Sequence, residues 1–357
     1  MDEATMSDAS ATRLPTLRRL PRAVLLGGLA TLLGVAFLMA LGIGAMPISA
    51  GEVLRILFGF ETDSQAAAIV LGLRLPRAVL AVLVGAGLGI SGAALQGLFR
   101  NPLADPGLIG ISGGAALGAV SVIVLGHLLI AMLPLAADLR LLPIAAFLGG
   151  LAATFATERL AHHRGVAATG ILLLAGIAIN AMAGAIMGVL IYSSDDSQLR
   201  EITFWTMGSL AKGGWSGATL AVPFVILAVL MLLRCAAPLN AMLLGEREAH
   251  HLGVSVERLK RVVMIAGALA VGASVAVSGI IAFVGVVVPH LVRMMAGPDH
   301  RGVLPGSALL GAVLLLVADC GARVIVAPAE MPIGLVTSLI GSPFFLWLLL
   351  RRKGLGS

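Results

Sequence analysis

Charged and aromatic residues are scarce in this chain of 357 residues: 12% are Asp, Glu, Lys or Arg, and 4% are Phe, Trp or Tyr. Because 59% of the residues are hydrophobic, a soluble core could not bury the apolar surface, which excludes an ordinary water-soluble protein. The shortage of aromatics also disfavours a membrane β-barrel, whose strands carry aromatic girdles. The 45 glycines instead favour closely packed helices. Some of them repeat every four residues and are predicted to form flat strips on which another helix packs: Gly85 and Gly89 on the second apolar run, and Gly110, Gly114 and Gly118 on the third. The sequence therefore predicts an all-α polytopic membrane protein.

Cysteines and common catalytic motifs are equally rare. Only Cys235 and Cys320 occur, and we expect two small buried side chains without a disulfide. The chain has no GxxxxGKS/T phosphate loop, no HExxH zinc motif and no CxxC pair. His250 and His251 have no third ligand at a plausible spacing, so no metal site is predicted. An intrinsic nucleotidase or hydrolase is therefore disfavoured.

Ten apolar runs are each long enough to cross about 30 Å of hydrocarbon. They are Ala23 to Met46, Val79 to Phe99, Leu108 to Leu129, Leu142 to Ala161, Ala167 to Tyr192, Ala218 to Leu233, Val262 to Ser278, Ile280 to Met295, Val303 to Val324 and Ile333 to Leu350. Residues 23–350 are thus predicted to form one domain of ten transmembrane helices, between tails at residues 1–22 and 351–357. The polar, acidic N-terminal residues do not resemble a signal peptide.

Basic residues are unevenly distributed between the two sides of these spans. Ten spans place 17 of the 24 Lys and Arg on the side of the N-terminus. Cytoplasmic loops carry such an excess. Both termini are therefore predicted to be cytoplasmic, and the net charge of +6 follows from orientation rather than from nucleic-acid binding. The seven cations on the other side are Arg55, Arg74, Arg77, Arg140, Arg200, Lys212 and Arg323.

Two groups stand out on the predicted outer side. Arg74 and Arg77 lie at the mouth of the second span, and Arg323 lies at the outer end of the ninth. A guanidinium group suits a carboxylate, so these arginines either bind an acidic partner or extend to the membrane interface. Residues 193–215 are too polar to span the membrane. We predict that Asp195 begins a short helix there, which braces the outer opening or presents aromatic side chains to a ligand.

Two loops stand out on the predicted inner side. The prolines of Asn101-Pro102 and Asp105-Pro106 end the helices of the first glycine-rich hairpin, where Asn101 and Leu103 are expected to narrow the inner mouth. Residues 238–261 read as an amphipathic helix, a stop at Gly253 and a basic helix. This is more than a connector needs, so we predict that another protein binds this loop.

An ion-coupled secondary transporter is an alternative from another class. It predicts carboxylates at the membrane midplane and inverted internal repeats. Neither is evident, and Asp319 and His290 lie near the ends of their spans. A purely structural membrane protein would give no reason for the outer arginines and the inner helix pair to occur together.

Several segments resemble one protein family. RLPR, VGAGLGISGAALQGLFRNPLADPGLIGISGGAALGA, LLLAG, LGEREAHHLGV, SGIIAFVGVVVPHLVRMMAGPDHR and MPIG occur in order from Arg74 onwards. They resemble the permease subunits of bacterial type II ABC importers for iron siderophores, haem and cobalamin. The similarity extends to about Leu350.

The resemblance implies a multi-pass homodimer of the bacterial inner membrane that imports its cargo by alternating access. Two cytoplasmic ATPase subunits would bind ATP and Mg, a periplasmic binding protein would deliver the cargo, and this chain would bind no cofactor. Haem is the favoured cargo, because the segment FWTMGSLAKGGW looks more like the corresponding segment of the haem and siderophore importers than that of the cobalamin importers. Ferric siderophore and cobalamin are the alternatives.

The resemblance also implies roles for individual residues. Arg74, Arg77 and Arg323 would pair with glutamates of the binding protein. Asn101, Leu103 and Thr169 resemble an inner gate, and Asn180 and Met182 would face the translocation path. The residues that would couple to the ATPase are Gly245, Glu246, Ala249, Leu252 and Gly253.

Overall fold

The computed structural model describes residues 20–61, 64–132, 140–163, 166–167, 169–327 and 329–353. The helices are α1 (Arg22–Gly42), α2 (Ala50–Leu57), α3 (Gln65–Ile69), α4 (Leu75–Leu98), α5 (Ile111–Met132), α6 (Leu141–Ala161), α7 (Thr169–Tyr192), α8 (Asp196–Thr206), α9 (Gly214–Arg234), α10 (Ala236–Met242), α11 (Glu246–His251), α12 (Val256–Ser278), α13 (Val284–Ala296), α14 (His300–Val324) and α15 (Ile333–Lys353). Strands His162–His163 and Val166–Ala167 pair antiparallel. Most of the predicted N-terminal tail, and residues 354–357 of the C-terminal one, lie outside the described residues.

Eight helical stretches are long and apolar enough to cross a membrane. One of them, Gln65–Leu98, joins α3 to α4 through a π turn at Val70–Arg74. Two further apolar helices are shorter, Val284–Ala296 and Ile333–Trp347. The prediction of a helical polytopic membrane protein is confirmed, while the count of ten spans stays a prediction.

The eighth predicted span begins as a helix four residues later than the apolar run suggests, at Val284 rather than Ile280. Residues 279–283 break the helix between α12 and α13, with positive φ of +69° at Gly279 and +67° at Phe283. A residue with positive φ cannot continue a right-handed helix, and hydrophobicity alone does not reveal it. The carbonyl of Ser278 accepts from the backbone N–H of Ser209 at 2.7 Å.

Glycines bring the helices into direct backbone contact. On α4, a Cβ added to Gly85 or Gly89 would overlap backbone atoms of α14, at Ser307 in the case of Gly89. On α5, a Cβ at Gly114 or Gly118 would overlap the backbone of α6 in the same way. The glycine strips predicted from the four-residue spacing are therefore confirmed as packing surfaces.

Helix α4 separates two polar ends of the bundle by about 36 Å, at about 1.5 Å per residue. Arg77 lies in its first turn and Asn101 follows its last, so we call these the Arg77 end and the Asn101 end. His300 packs on Gly97, which puts the start of α14 at the Asn101 end. The loop at residues 235–261 lies there as well, because Asn240 contacts His300.

Candidate functional site

Arg77 is the centre of an ion-pair cluster at its end of the bundle. Its Nε donates to Oδ1 and Oδ2 of Asp319 at 2.9 and 3.1 Å. Its Nη1 donates to Oε1 and Oε2 of Glu330 at 3.0 and 2.9 Å. The Asp319 side chain is only 2% exposed, while that of Glu330 is 46% exposed. Arg77 therefore joins a buried carboxylate on α14 to a solvent-facing one before α15.

Arg74 and Arg323 cap the C-terminus of α1. The last carbonyls of a helix have no partner within the helix, and they form its negative end. Arg74 Nη1 donates to the carbonyls of Leu41 and Gly42 at 2.7 and 2.8 Å. Arg323 Nη2 donates to the carbonyl of Ala40 at 2.9 Å, and its Nε pairs with Asp319 at 3.2 Å. Both arginines are buried.

All three predicted docking arginines thus lie together, and each has acceptors within its own chain. A contact with a partner protein stays a prediction. The sequence did not lead us to the two carboxylates that hold Arg77, Asp319 and Glu330. The available signal was Asp319 itself, because a carboxylate in an apolar span is almost always paired.

The predicted gate turn follows α4 at the Asn101 end. Asn101 is exposed and its Oδ1 accepts from the N–H of Leu103 at 3.0 Å. Asp105 Oδ1 accepts from the N–H of Gly107 at 2.7 Å, and a short 3₁₀ turn over Pro106–Ile109 leads into α5. Asn101-Pro102 therefore follows the end of α4 as predicted, whereas Asp105-Pro106 caps the start of the 3₁₀ turn. Both Asx side chains accept from the backbone N–H two residues ahead.

Helix α7 holds this turn. Asn180 Nδ2 donates to the carbonyl of Gly107 at 2.7 Å, so this predicted path residue contacts the gate turn. Met182 is 56% exposed and lies about 200° around the helix from Asn180, at about 100° per residue. Thr169 is the first residue of α7, and its side chain lies outside what the structure describes.

The predicted coupling loop is two short helices seated on the start of α12. Gly245 and Gly253 bracket α11 with φ of +133° and +84°, conformations that favour glycine. Ala249 is fully buried and fixes α11 against the bundle. Lys260 Nζ, itself buried, pairs with Glu246 at 2.9 Å and with Glu257 at 3.4 Å. The predicted stop at Gly253 is confirmed.

Three leucines on this loop point outward, and we call them the coupling patch: Leu243, Leu244 and Leu252. Their exposed fractions are 43%, 66% and 63%. Exposed leucines grouped on a well-anchored loop are typical of a surface that another protein covers.

Asn240 anchors α10 to the start of α14, a contact that the sequence interpretation missed. Its Nδ2 donates to Asp299 Oδ1 at 2.6 Å, and its Oδ1 accepts from the N–H of His300 at 2.8 Å. Asp299 also caps α14 by accepting from the N–H of Arg301 at 2.9 Å. The only sequence signal was an Asp placed before a helical run, which predicts the cap but not its partner.

Acidification should weaken this anchor. The side-chain hydrogen bond from Asn240, and then the N–H of Arg301, lower the pKa of Asp299 below its ordinary value. A carboxylate with a lowered pKa stabilises the fold above its unfolded pKa of about 3.9, and the contribution disappears as pH falls through the folded value. The melting temperatures of wild type and Asp299→Asn should therefore differ at neutral pH and converge as the pH falls below the unfolded pKa of about 3.9 and through the lower folded value. A constant difference would contradict this assignment.

Helix α8 has the predicted start. Asp195 Oδ1 accepts from the N–H groups of Ser197 and Gln198 at 2.8 and 2.9 Å, and Gln198 Oε1 accepts from the N–H of Asp195 at 3.2 Å. This capping box confirms the short helix at Asp196–Thr206.

Within the described ranges, no three of His, Cys, Asp and Glu lie close enough together to hold a metal ion.

Known proteins resemble this chain over nearly its full length. The FecCD transport family matches residues 32–351. The hemin transport system permease protein HmuU of Yersinia pestis is 48% identical over 333 residues, which cover 92% of this chain and 96% of HmuU. The cobalamin import system permease protein BtuC of Halobacterium salinarum is 42% identical over 294 residues, 82% of this chain and 76% of the relative.

A solved structure of an ABC transporter has a similar fold. An inward-facing metal-chelate type ABC transporter is 33% identical, superposes with a TM-score of 0.80, and is matched over 93% of this chain and 100% of its own. The family expected from the RLPR, NPLADPG and LGEREAHHLG segments is therefore confirmed. The chain belongs to the FecCD transport family of ABC importer permeases.

Proposed function

We propose that this chain is the membrane subunit of an ATP-driven importer, and that an ATPase partner binds its coupling patch. The observation that carries the proposal is the combination of three exposed leucines with a rigid seat. Ala249 of the same loop is buried, and Glu246 forms an ion pair with buried Lys260. A patch that is anchored in this way moves together with α12. Closure of an ATPase pair on bound ATP would displace the patch, and hydrolysis would reset it.

The gate would respond at the same end of the bundle. The turn with Asn101 and Leu103 follows α4 directly, and Asn180 ties it to α7. A shift of α7 relative to α4 would therefore change the width of the inner mouth. Alternating access needs two such arrangements of packed helices, which ATP binding favours in turn.

A second copy of this chain would complete the path. Large apolar side chains of α7 are exposed in the single chain, Ile177 at 54% and Val189 at 69% among them. Gly184 and Gly188, four residues apart on α7, have no atom within 4 Å of the position of an added Cβ. Small residues at this spacing are typical of helix–helix interfaces in membranes. The path would lie between the two copies, with ten spans and cytoplasmic termini in each.

A periplasmic binding protein would meet the Arg77 end. Arg77 is the arginine with a solvent-facing partner, because half of the Glu330 side chain is exposed. A glutamate from the binding protein would then take the place of Glu330 on Arg77. Arg74 and Arg323 would support this surface from below by holding the end of α1.

Haem is the proposed cargo, with ferric siderophore and cobalamin as the alternatives. The similarity to HmuU, a hemin transport permease, supports haem. The similarity to BtuC, a cobalamin import permease, supports cobalamin. The ion-coupled alternative does not suit a member of an ABC importer family.

The cargo is tested by ATP hydrolysis in vesicles that contain the permease, its ATPase and its binding protein. Haem, ferric siderophore and cobalamin are loaded separately onto the binding protein, and haem is expected to stimulate hydrolysis most.

Leu252→Ala should weaken ATPase binding about tenfold, as the loss of a central interface side chain does. Leu54→Ala, at an exposed leucine on α2, is the matched control. Tight ATPase binding by Leu252→Ala would reject the coupling patch, and uptake without any ATPase would reject the importer.

A further inference from the structure

A cavity of about 700 Å³ opens at the Arg77 end. It is lined by the first residues of α6 and α9, the last residues of α12, one side of α8 and the segment before α15. Its charged lining residues are Arg140, Glu201, Lys212 and Glu330, and its walls include Trp205. Polar groups thus border a largely apolar space at the level where helices leave the membrane.

An apolar slot continues the cavity down the bundle. The slot has a volume of about 220 Å³ and lies between α6 and α9, with α12 as its floor. Pro143, Leu220 and Ala276 line both spaces, so the two are continuous. The rings of Phe147 and Phe224 meet at its wall, with centroids 4.6 Å apart. The slot is open on the side of the membrane, because Leu148 at its edge is 56% exposed.

The charges at the mouth favour a ligand that carries both signs. Glu330 is occupied by Arg77. Among the described residues, Arg140, Lys212 and Glu201 have no ion-pair partner. Two cations and one carboxylate remain, which complement a phosphate with an adjacent amine. A charged mouth above an apolar slot that is open to the bilayer has the shape of an amphiphile with such a head group.

We propose that this groove binds a phospholipid with a zwitterionic head group. Arg140 and Lys212 bind the phosphate, Glu201 binds the amine, and one acyl chain lies in the slot against Phe147 and Phe224. The bound lipid connects α6 and α9 to α8, the short helix at the outer end. Nothing in this assignment depends on which cargo is carried.

Most of the free energy of lipid binding has to come from the head group. Hydrocarbon tails are as apolar as the slot, so moving a tail from the bilayer into the slot gains little. Contacts of the phosphate with two cations, by contrast, are charge-assisted hydrogen bonds, which hydrocarbon cannot supply. Removing the cations is therefore the sharper test, and filling the slot is the second one.

The test is native mass spectrometry of the full chain released from membranes that contain phosphatidylethanolamine and phosphatidylglycerol. Wild type should retain one phosphatidylethanolamine per subunit. Arg140→Gln/Lys212→Gln should retain at least about tenfold less, because both charge-assisted contacts with the phosphate are lost. The matched control is Arg55→Gln/Arg200→Gln, which removes the same charge from two exposed arginines outside the groove.

A slot-filling variant guards against misfolding of the double variant. Ile144→Trp places a bulky side chain at the edge of the slot, where Ile144 is 38% exposed, and should also expel the lipid. Equal lipid retention by all variants would overturn the proposal, as would loss in the control alone. Retention of phosphatidylglycerol in preference to phosphatidylethanolamine would overturn the role given to Glu201.

Discussion

Replacing Arg77 by methionine is expected to lower the free energy of unfolding by about 3 kcal/mol, because it leaves a buried carboxylate without its main partner. Asp319 is 2% exposed and accepts two hydrogen bonds from Arg77. Arg323 remains beside it at 3.2 Å, which keeps the loss below that of a wholly unpaired buried charge. Thermal melting of the purified chain in detergent measures the effect.

The matched control for this prediction is Arg55→Met, at an exposed arginine on α2, which should melt within a degree or two of wild type. Glu330→Gln is a milder variant of the same cluster. Its carboxylate is half exposed, so its loss should cost no more than about 1 kcal/mol. An Arg77→Met protein as stable as the control would contradict the role of Arg77 as a structural ion pair.

The same cluster determines how docking must be tested. Reversing Arg74, Arg77 or Arg323 to glutamate would disturb α1 and Asp319 as well as any external contact. Loss of capture by such a variant is informative only if its melting temperature is unchanged. Glu330→Gln avoids the difficulty. If a partner glutamate replaces Glu330 on Arg77, this variant should capture the binding protein more tightly and with the same dependence on salt.

Gly89→Ala is expected to destabilise the bundle although it adds only one methyl group. The new Cβ would overlap the carbonyl of Ser307, so α4 and α14 would have to move apart. Overpacking of this kind costs about 1–3 kcal/mol, and here the obstacle is backbone rather than a side chain that can turn aside. We expect a lower melting temperature and a lower yield of folded protein in the membrane.

The same substitution at Gly34 provides the comparison. Gly34 lies on the exposed face of α1 and has no atom within 4 Å of an added Cβ. Alanine is the better helix former, so Gly34→Ala should leave stability unchanged or raise it by up to about 1 kcal/mol. If the two variants melted alike, direct backbone contact between α4 and α14 would be wrong.

Much of the fold could be predicted because its signals are local. Apolar runs longer than a bilayer is thick, glycines every four residues and Asx-Pro pairs each act within one or two turns of helix. They correctly indicated the helical spans, the α4 and α5 packing strips and the turn after α4. Asp195 followed by Gln198 gave the start of α8 in the same way.

The rest depends on contacts between distant parts of the chain. Arg323 bonds the carbonyl of Ala40, 283 residues away, and Asn240 bonds Asp299, 59 residues away. A long arginine side chain can reach water, a partner protein or the end of a helix equally well. Its position in the sequence therefore does not reveal its hydrogen-bond acceptor. Likewise, no local signal marks Phe283 as left-handed. The break after Ser278 was predicted, but it is longer than the single residue that the apolar runs allowed.

The break at residues 279–283 makes α12 a separate helix that contacts other elements at both of its ends. Added Cβ atoms at Gly279 and Gly208 would overlap the carbonyls of Trp205 and Ile280, so the segments beside α8 touch the end of α12 backbone to backbone. Gly334 at the start of α15 meets the same place. The other end of α12 holds Glu246 through Lys260, about 27 Å away at about 1.5 Å per residue. Because these contacts join backbone to backbone, a tilt of α12 that began at the coupling loop would displace α8 and α15 directly.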